Sequence, residues 1–512
     1  MKAMPRQRRV LRGLVALVLL ASMVGWWSSR GTARAPAATR SSLRATFDED
    51  TARLVYRWNP ADPRSAETRQ DALFDFVYET FDSSAWIPQS LFDSNLLTQV
   101  VSGSVETIVT DKVGLVPWRD NDVVVAYGMA PSTSPDQPVS WTVNCLVCHM
   151  AEIDGVAYFG AGSKTFDDKW LGEALKTLTS RRGRFVLPPL SSDHRQAAEA
   201  HRILSTHHHD KIDSLTRARS TAFAASYVEL YMRPHNGAMP SVDRVGRGDV
   251  KTPPLWHTVA KRPVGRWYAD GSFHGDIPLM ASSMELEKDR SFDALMTTVI
   301  PKIREQFADV IQELRPPRYP YEIDAALAER GKALFYSAEV GCSSCHGVYD
   351  GTGNVDWPGV HVDVGTDPAR RAIVTAGFVD AFNASPLAAH GALVPSHGYA
   401  ATPLTGVWAN YPYLHNGSVP TLYHLLGPVQ ERPSVFEVRA ARSFDRVRVG
   451  QRLHTDRSLD GTSDPALRQR FGADRNWFTI DREGSSNKGH DMWPRIKTDD
   501  NRRALIEYLK TL

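Results

Sequence analysis

The 512-residue sequence is poor in cysteine, with only four, and it has no long run of one charge sign beyond its extreme N-terminus. Sixty lysines and arginines against 58 aspartates and glutamates leave a formal net charge of +2, so composition gives no argument for nucleic-acid binding. After Trp27 no apolar run is long enough to span a membrane. The length and a hydrophobic content of 42% predict a folded protein of two or more domains.

The N-terminus has the pattern of an export signal. An apolar stretch from Leu14 to Trp27 is followed by small and polar residues through Arg40. Basic residues before an apolar run orient a segment in a membrane, and five precede this one: Lys2, Arg6, Arg8, Arg9 and Arg12. We expect residues 1–40 to be either a cleaved signal peptide or a single inner-membrane anchor. The rest of the chain should then work outside the cytoplasm, in the periplasm or as an exported protein.

All four cysteines stand in two C-x-x-C pairs, and histidine follows each pair. Close cysteines outside the cytoplasm often form disulfides, and C-x-x-C alone also suits redox or zinc chemistry. The histidines favour c-type haem, because two thiols three positions apart reach two vinyl groups and the next imidazole binds the iron. We therefore expect two covalent haems, on Cys145, Cys148 and His149 and on Cys342, Cys345 and His346.

The C-terminal part begins at a proline-rich turn, Arg315 to Pro320, which predicts a domain boundary near residue 318. Apolar residues at helical spacing predict one helix over 321–335, before the second haem motif, and another over 498–512. This arrangement resembles the cytochrome c fold, and the resemblance implies that Gly331 lets Tyr508 or a neighbour approach closely. We expect residues 41–318 to form an N-terminal haem domain and 319–512 a cytochrome c-like domain.

Two further stretches, Pro403 to Leu426 with its P-Y-L-H-N-G-S-V-P-T-L block and Ser485 to Trp493 with a late G-H, extend the pattern. Together with both haem motifs they resemble the dihaem cytochrome c peroxidase superfamily. These blocks and D-V-G-T-D-P, Asp363 to Pro368, are most similar to its rubber-oxygenase-like branch. The resemblance covers both haem regions and most of residues 250–512. It implies a mainly α fold of two cytochrome c-like haem domains with long loops, the N-terminal one elaborated.

The resemblance also assigns residues to the second haem. By position, the late G-H makes His490 the sixth ligand, opposite His346. Met492 is a nearby alternative donor, and a His/Met pair would raise the reduction potential relative to two histidines. We expect His415 to make local hydrogen bonds near the haem rather than to bind iron.

The first haem region is less clear, because a proline-rich loop, Met129 to Pro138, precedes its motif. The block Lys251 to Asp276 resembles a stretch that these dihaem proteins share. Its aromatic and basic residues suit either a haem-pocket wall or an ordinary aromatic core loop, and we take Trp256, Trp267 and Arg266 as candidate haem neighbours. The resemblance implies that the haem on His149 is the reactive one. Its sixth ligand has several candidates, and no distal acid or base is identified; the candidates are His235, Met239, His257, His274, Met280 and Met284.

Helical spacing also predicts helices over Thr165 to Leu178 and Ser192 to Met232. His207, His208 and His209 lie in the second of these. Consecutive residues point in different directions around a helix, so we expect a solvated surface there rather than a metal site.

Three functions remain open. In the first, a peroxidase-like oxidoreductase, one haem stores electrons from an external cytochrome or cupredoxin and the other binds peroxide. In the second, a rubber-oxygenase-like dioxygenase, bound dioxygen attacks an apolar substrate. The third is an electron carrier in which both irons are six-coordinate and no substrate is bound.

Overall fold

A computed structural model describes residues 54–78, 87–88, 104–120, 123–131, 140–180, 191, 194–195, 197–198, 216–220, 248–275, 295–438, 442–453 and 474–512. All of them belong to one compact unit, Arg44–Leu512. The predicted signal or anchor, residues 1–40, lies outside the described residues. None of the helices in the described ranges combines the length and the apolar character that a membrane crossing requires.

Six described helices have eight or more residues. They are α1 (Ala66–Tyr78), α2 (Asp168–Thr179), α3 (Ile300–Asp309), α4 (Ala325–Tyr336), α5 (Ala376–Asn383) and α6 (Asp499–Thr511). Shorter helical turns connect them: Val105–Thr107, Ile108–Val113, Cys145–Val147, His257–Lys261, Leu295–Val299, Ile311–Glu313, Ser343–His346, Ala369–Ala372, Pro386–His390, Val407–Ala409, Leu422–Leu426, Val429–Glu431 and Trp493–Ile496.

The strands are short and form small sheets of two or three. The three-stranded sheets are β1 (Leu54–Val55), β8 (Val156–Phe159) and β7 (Met150–Ile153); β2 (Ile87–Pro88), β6 (Ser140–Val143) and β5 (Met129–Pro131); and β11 (Arg266–Trp267), β12 (Phe273–Gly275) and β16 (Gly391–Leu393). The pairs are β3 (Pro117–Asp120) with β4 (Val123–Ala126), β9 (Arg219–Ser220) with β10 (Val250–Lys251), β13 (Val348–Tyr349) with β14 (Val355–Asp356), β15 (His361–Val362) with β17 (Tyr399–Ala400), β18 (Val435–Glu437) with β21 (Trp477–Thr479), and β19 (Phe444–Asp445) with β20 (Gly450–Gln451). Only β1 and β8 pair in parallel; the other described pairings are antiparallel.

The described residues thus contain both helices and strands, and the mainly α architecture stays a prediction. The helix predicted over 165–178 is found as α2, which begins where the Asp167 side chain accepts a hydrogen bond from the Trp170 N–H. Most of the predicted helix over 192–232, including the three consecutive histidines, lies outside the described residues.

The helices on either side of the second haem motif cross as predicted. A Cβ added at Gly331 of α4 would lie 1.9 Å from the Ala504 carbonyl oxygen and 2.9 Å from Tyr508 Cβ, both on α6. Only glycine allows so close a backbone approach. Helix α6 begins at Thr498, whose side chain accepts from the Asn501 N–H, and buries Leu505 and Leu509. Burying each of these leucines contributes roughly 1.5–3 kcal/mol.

Contacts cross the proposed boundary near residue 318 at several points. Trp408 is fully buried, with its ring centre 5.4 Å from that of Tyr158, and its indole donates to the Pro317 carbonyl at 3.0 Å. Strand β12 pairs with β16, and the Asp154 carboxylate accepts from the Phe444 N–H at 2.9 Å. The two sides of this boundary are therefore packed together, and the division into two haem domains stays a prediction.

Candidate functional site

The second C-x-x-C-H motif forms one helical turn. The N–H groups of Cys345 and His346 both donate to the Cys342 carbonyl, at 3.2 and 3.0 Å. The turn ends at Gly347, whose φ of 92° lets the chain leave toward β13, and a Cβ there would lie 2.3 Å from the Asp356 carbonyl oxygen. Cys342 and Cys345 are half-buried, and neither forms a disulfide. The motif therefore presents its two thiols and its imidazole from a single turn, as thioether attachment requires.

The orientation of His346 is fixed by a backbone partner. Its Nδ1 lies 2.8 Å from the Thr402 carbonyl oxygen, so Nδ1 must carry the hydrogen and donate. The lone pair then lies on Nε2, the nitrogen available to a metal. Burial lowers the pKa of His346, and the Thr402 carbonyl opposes that shift. His346 is thus held in the neutral tautomer that a haem iron binds.

His490 faces His346. The centres of the two rings are 6.1 Å apart and their planes are inclined by 69°. Imidazole nitrogen binds a first-row metal at about 2 Å, so rings on opposite faces of one iron have centres about 6 Å apart. Burial, reinforced by His346 and Arg432, lowers the pKa of His490 to about 3 and keeps the ring neutral. These two histidines fit the axial positions of one haem, as the resemblance implied. Met492 precedes the turn Trp493–Ile496 as its N-terminal residue.

The first C-x-x-C-H motif repeats the same backbone turn. The N–H groups of Cys148 and His149 donate to the Cys145 carbonyl at 3.3 and 3.0 Å. Asn144 caps this turn by accepting from the Leu146 N–H at 2.9 Å, and its amide donates to the Val77 carbonyl at 2.8 Å. Cys145 and Cys148 are half-buried thiols. The structure therefore presents a second set of groups suited to thioether attachment.

His149 is half-buried, and its surroundings differ from those of His346. Burial lowers its pKa to about 4, and the nearby Pro253 carbonyl opposes that shift. Nδ1 lies outside normal hydrogen-bonding geometry with any described partner. Within the described residues, no histidine ring faces His149 as His490 faces His346. The neutral His149 imidazole can bind a haem iron from one side of the haem. The ligand on the other side, at the sixth position, is not assigned.

Two segments, residues 253–257 and 402–405, lie between His149 of the first motif and His346 of the second. The Trp256 indole donates to the Thr405 carbonyl at 2.9 Å, and His257 Nε2 donates to the same oxygen at 3.0 Å. His257 Nδ1 then accepts from the Thr402 hydroxyl at 3.3 Å. Thr402 is also the partner of His346, and Pro253 lies beside His149. Because both ring nitrogens of His257 are engaged, this candidate has no lone pair left for the first iron.

These two segments are local repeats of one another. P-P-L at 253–255 corresponds to T-P-L at 402–404, and Y-A-D-G-S at 268–272 corresponds to L-H-N-G-S at 414–418. The second stretch of each repeat, 268–272 or 414–418, begins at a non-glycine residue with positive φ. The φ is 60° at Tyr268 and 63° at Leu414. In both, the serine N–H donates to the Asp270 or Asn416 side chain, at 3.2 and 3.1 Å. Sequence reasoning missed this duplication, and a search for internal repeats finds it.

The remaining predicted haem neighbours are placed as follows. Trp267 is buried, and its indole donates to the Gly275 carbonyl at 2.7 Å. Arg266 of β11 lies opposite His274 of β12 in the antiparallel strand pairing. The His274 Nε2 is buried without a described hydrogen-bond partner, and burial lowers the pKa of this ring. The other predicted candidates for the first sixth ligand, His235, Met239, Met280 and Met284, lie outside the described residues.

His415 stacks on Tyr399, with ring centres 4.0 Å apart and an inclination of 17°. Burial, and then the charge of Arg370, lowers its pKa to about 3. Its Nε2 has no hydrogen-bond partner in the described part of the chain. The ring therefore stacks on Tyr399, and local hydrogen bonding near the haem stays a prediction for His415.

A group of buried cations holds the loop that carries His415. Lys164 donates from Nζ to the carbonyls of Ala409 and Tyr411 at 2.6 and 2.7 Å. Lys251 binds Asn410, and Arg219 donates to the carbonyls of Asn416 and Gly417 at 2.6 and 2.9 Å. Burial, followed by the charge of Arg219, lowers the pKa of Lys164 to about 7. Sequence reasoning missed these residues, because single basic residues in unremarkable segments give no local signal.

Within the described ranges, no group of three or more His, Cys, Asp or Glu side chains is placed to hold a metal ion.

Comparison with known proteins supports a haem protein. Residues 398–437, which include the Thr402 carbonyl and the loop with His415, match a family described as RoxA-like, cytochrome c-like. The chain is 33% identical over 249 residues to the uncharacterized protein y4iM of Sinorhizobium fredii (strain NBRC 101917 / NGR234), covering 40% of this chain and 52% of that protein. It is 28% identical over 305 residues to y4iJ of the same strain, covering 46% of this chain and 47% of that protein.

The chain thus spans about half the length of the curated relatives it matches. The family match supports, at a coarse level, the resemblance to rubber-oxygenase-like cytochromes that the motifs indicated. It implies a haem cofactor and indicates that the chain carries a cytochrome c-like region of the kind found in haem-dependent oxidoreductases.

Proposed function

We propose that this protein is an exported c-type cytochrome oxidoreductase whose two haem sites divide the work between electron transfer and the binding of peroxide or dioxygen. The observation that carries the proposal is the facing pair His346 and His490, with ring centres 6.1 Å apart. Two strong axial ligands favour electron transfer over oxidant binding. The resemblance to dihaem cytochrome c peroxidases, in which the N-terminal haem is the reactive one, assigns the site at His149 to the oxidant.

A bound c-type haem supplies reversible one-electron chemistry and, where its sixth position is open or labile, binds oxygen or peroxide. At the electron-transfer site, Cys342 and Cys345 provide the covalent links from one turn. The Thr402 carbonyl orients His346, and burial keeps His490 neutral. In the peroxidase form, an external cytochrome or cupredoxin delivers the electrons to this site.

At the oxidant site, Cys145 and Cys148 provide the covalent links and His149 provides the single assigned axial nitrogen. Desolvation lowers the pKa of this imidazole and keeps it neutral. Trp256 and His257 donate to the Thr405 carbonyl, in the segment that orients His346, and Pro253, close before them in the chain, lies beside His149. This short connection supports transfer of electrons between the sites.

A second candidate function is a rubber-oxygenase-like dioxygenase that cleaves an apolar substrate. The RoxA-like match over residues 398–437 favours it. The two candidates share the same haem sites and differ in the oxidant and the substrate. Steady consumption of hydrogen peroxide with a reduced cytochrome supports the peroxidase. A stable oxygen-bound spectrum as isolated, without peroxide turnover, supports the dioxygenase.

The proposed division of labour is tested by electron paramagnetic resonance of the oxidised holoprotein. We expect one low-spin and one high-spin haem, and we expect His490→Ala to abolish the low-spin signal. His397→Ala is the matched control, because His397 is exposed. A low-spin signal that survives unchanged in His490→Ala contradicts the ligand assignment. Two low-spin signals in the unaltered protein, with no change on partial reduction, would instead indicate an electron carrier.

A further inference from the structure

Arg432 lies under the loop that carries His490. It follows the turn Val429–Glu431 and only 4% of its surface is exposed. Its Nη1 donates to the carbonyls of Asn487 and Gly489 at 2.6 and 2.8 Å, and its Nη2 donates to the His490 carbonyl at 3.2 Å. One guanidinium therefore binds three carbonyls within four residues of the chain, ending at the axial histidine.

The same guanidinium is anchored on its other side. Its Nη2 also donates to the Leu425 carbonyl at 3.2 Å, and its Nε donates to the His424 carbonyl at 3.4 Å. These two carbonyls belong to the short helix Leu422–Leu426, which packs against α6. Arg432 thus ties the histidine loop to a helical element of the second haem region.

The opposite face of the loop rests on residues 363–367. The His490 N–H donates to the Val364 carbonyl at 2.8 Å, and the Ser486 N–H donates to the Asp367 carboxylate at 2.9 Å. A Cβ added at Gly489 would lie 2.3 Å from the Gly365 carbonyl carbon. The loop is therefore held between Arg432 and the D-V-G-T-D stretch.

The backbone at the histidine requires such support. His490 has φ of 47° and Gly489 has φ of 79°, both in the left-handed region. A residue with a side chain persists in that region only where its surroundings determine its conformation, because the steric cost favours other conformations. The planar guanidinium supplies several donors in a fixed arrangement, which a lysine ammonium cannot reproduce.

We propose that Arg432 is a positioning residue that holds His490 in the orientation in which it binds the second haem iron. This inference rests on the proposed function, because it takes His490 as the axial ligand. Without the guanidinium, three carbonyls lose their donor and the left-handed backbone at His490 relaxes. The imidazole then leaves the iron more often, and external ligands gain access to the sixth position.

The test compares full-length holoprotein with Arg432→Lys, Arg432→Met and His490→Ala. The readouts are the low-spin signal and the rate at which cyanide binds the second haem. We expect Arg432→Lys to raise that rate by at least about tenfold, the factor that corresponds to one lost hydrogen bond to a charged group. Arg432→Met should raise it further and convert part of the low-spin signal to high-spin.

Arg217→Lys is the matched control. Arg217 is equally buried and donates to the carbonyls of Asp111 and Lys112 at 2.8 and 2.7 Å. Arg217→Lys should lower the free energy of unfolding and leave the rate of cyanide binding to the second haem unchanged.

The outcomes separate the two proposals. If His490→Ala abolishes the low-spin signal while both Arg432 variants keep the original cyanide rate, the positioning role is wrong and the ligand assignment stands. If His490→Ala leaves the signal unchanged, the ligand assignment itself fails. If both Arg432 variants mature without the second haem while Arg217→Lys matures fully, Arg432 acts in folding and the positioning role is also contradicted.

Discussion

The two C-x-x-C-H turns have the same backbone and different surroundings. In each, the N–H groups of the second cysteine and of the histidine donate to the carbonyl of the first cysteine. In both places desolvation lowers the pKa of the histidine, His149 or His346, and favours its neutral form. The local sequence therefore determines the backbone turn that carries the two cysteines and the histidine.

The far side of each site is determined by distant parts of the chain. His346 faces His490, which a loop near the C-terminus supplies and Arg432 holds. For His149 the described residues supply no such ring, and His257, one of its candidates, is fully engaged with Thr402 and Thr405. The ligand opposite each histidine matters because the sixth position decides between electron transfer and oxidant binding.

The largest effect is expected when both cysteines of one motif are replaced, because each pair should hold one haem. We expect Cys145→Ala with Cys148→Ala to remove one haem and to keep the low-spin signal, because the second motif is intact. Cys342→Ala with Cys345→Ala should remove the other haem together with that signal. Intact mass and haem content of the purified proteins measure this result. Either double variant that retained two covalent haems would contradict the assignment.

A smaller effect is expected at the crossing of α4 and α6, which supports only the second site. A Cβ at position 331 would lie 1.9 Å from the Ala504 carbonyl oxygen, so Gly331→Ala forces the helices apart. We expect a loss of about 1–3 kcal/mol in the free energy of unfolding, measured by denaturant titration.

Gly377→Ala is the control for this change. Gly377 lies in α5, and a Cβ there would meet nothing within 4 Å. It should stabilise the protein by up to about 1 kcal/mol, because alanine favours a helix over glycine. Equal losses in the two variants would mean that the close approach at Gly331 does not limit stability.

The second region was more predictable from sequence than the first, for physical reasons. Helices α4 and α6 have apolar residues at helical spacing, and Gly331 between them marks the close contact that the structure confirms. The C-x-x-C-H turns are equally local. His490 was found by resemblance alone, because no local pattern links a residue near the C-terminus to His346.

The contacts that hold the two regions together could not be predicted. Lys164 binds carbonyls 245 and 247 positions away, and nothing in its neighbourhood indicates those partners. Arg432 is likewise one arginine in a proline-containing loop. The strands have two to four residues, too few for a reliable alternation of apolar and polar side chains. Pairing of such short segments depends on tertiary contacts rather than on propensity.

The smallest difference between two variants is expected for two aspartates, one after each haem motif. Asp154 follows β7, and its carboxylate accepts from the Phe444 N–H at 2.9 Å and from the Tyr321 hydroxyl at 2.8 Å. Burial opposes ionisation, but these hydrogen bonds bring the pKa of Asp154 below its ordinary value. Asp350 follows β13 and accepts from nearby residues, Asn354 and Thr352. Burial raises its pKa, but these hydrogen bonds together outweigh burial and lower the pKa to about 2.

A carboxylate with a lowered pKa stabilises the fold above its unfolded pKa of about 4 and loses that contribution as the pH falls through the folded value. At pH 7 we expect Asp154→Asn to cost about 1–3 kcal/mol, because Asp154 joins segments 290 residues apart. Asp350→Asn should cost below about 1 kcal/mol, since its exposed turn is screened by water. Urea unfolding at a series of pH values checks this, with the Asp350 difference disappearing near pH 2. If Asp350→Asn lowered the free energy of unfolding more than Asp154→Asn, this prediction would be wrong. The turn after the second motif would then contribute more to stability than the contact between Asp154 and Phe444.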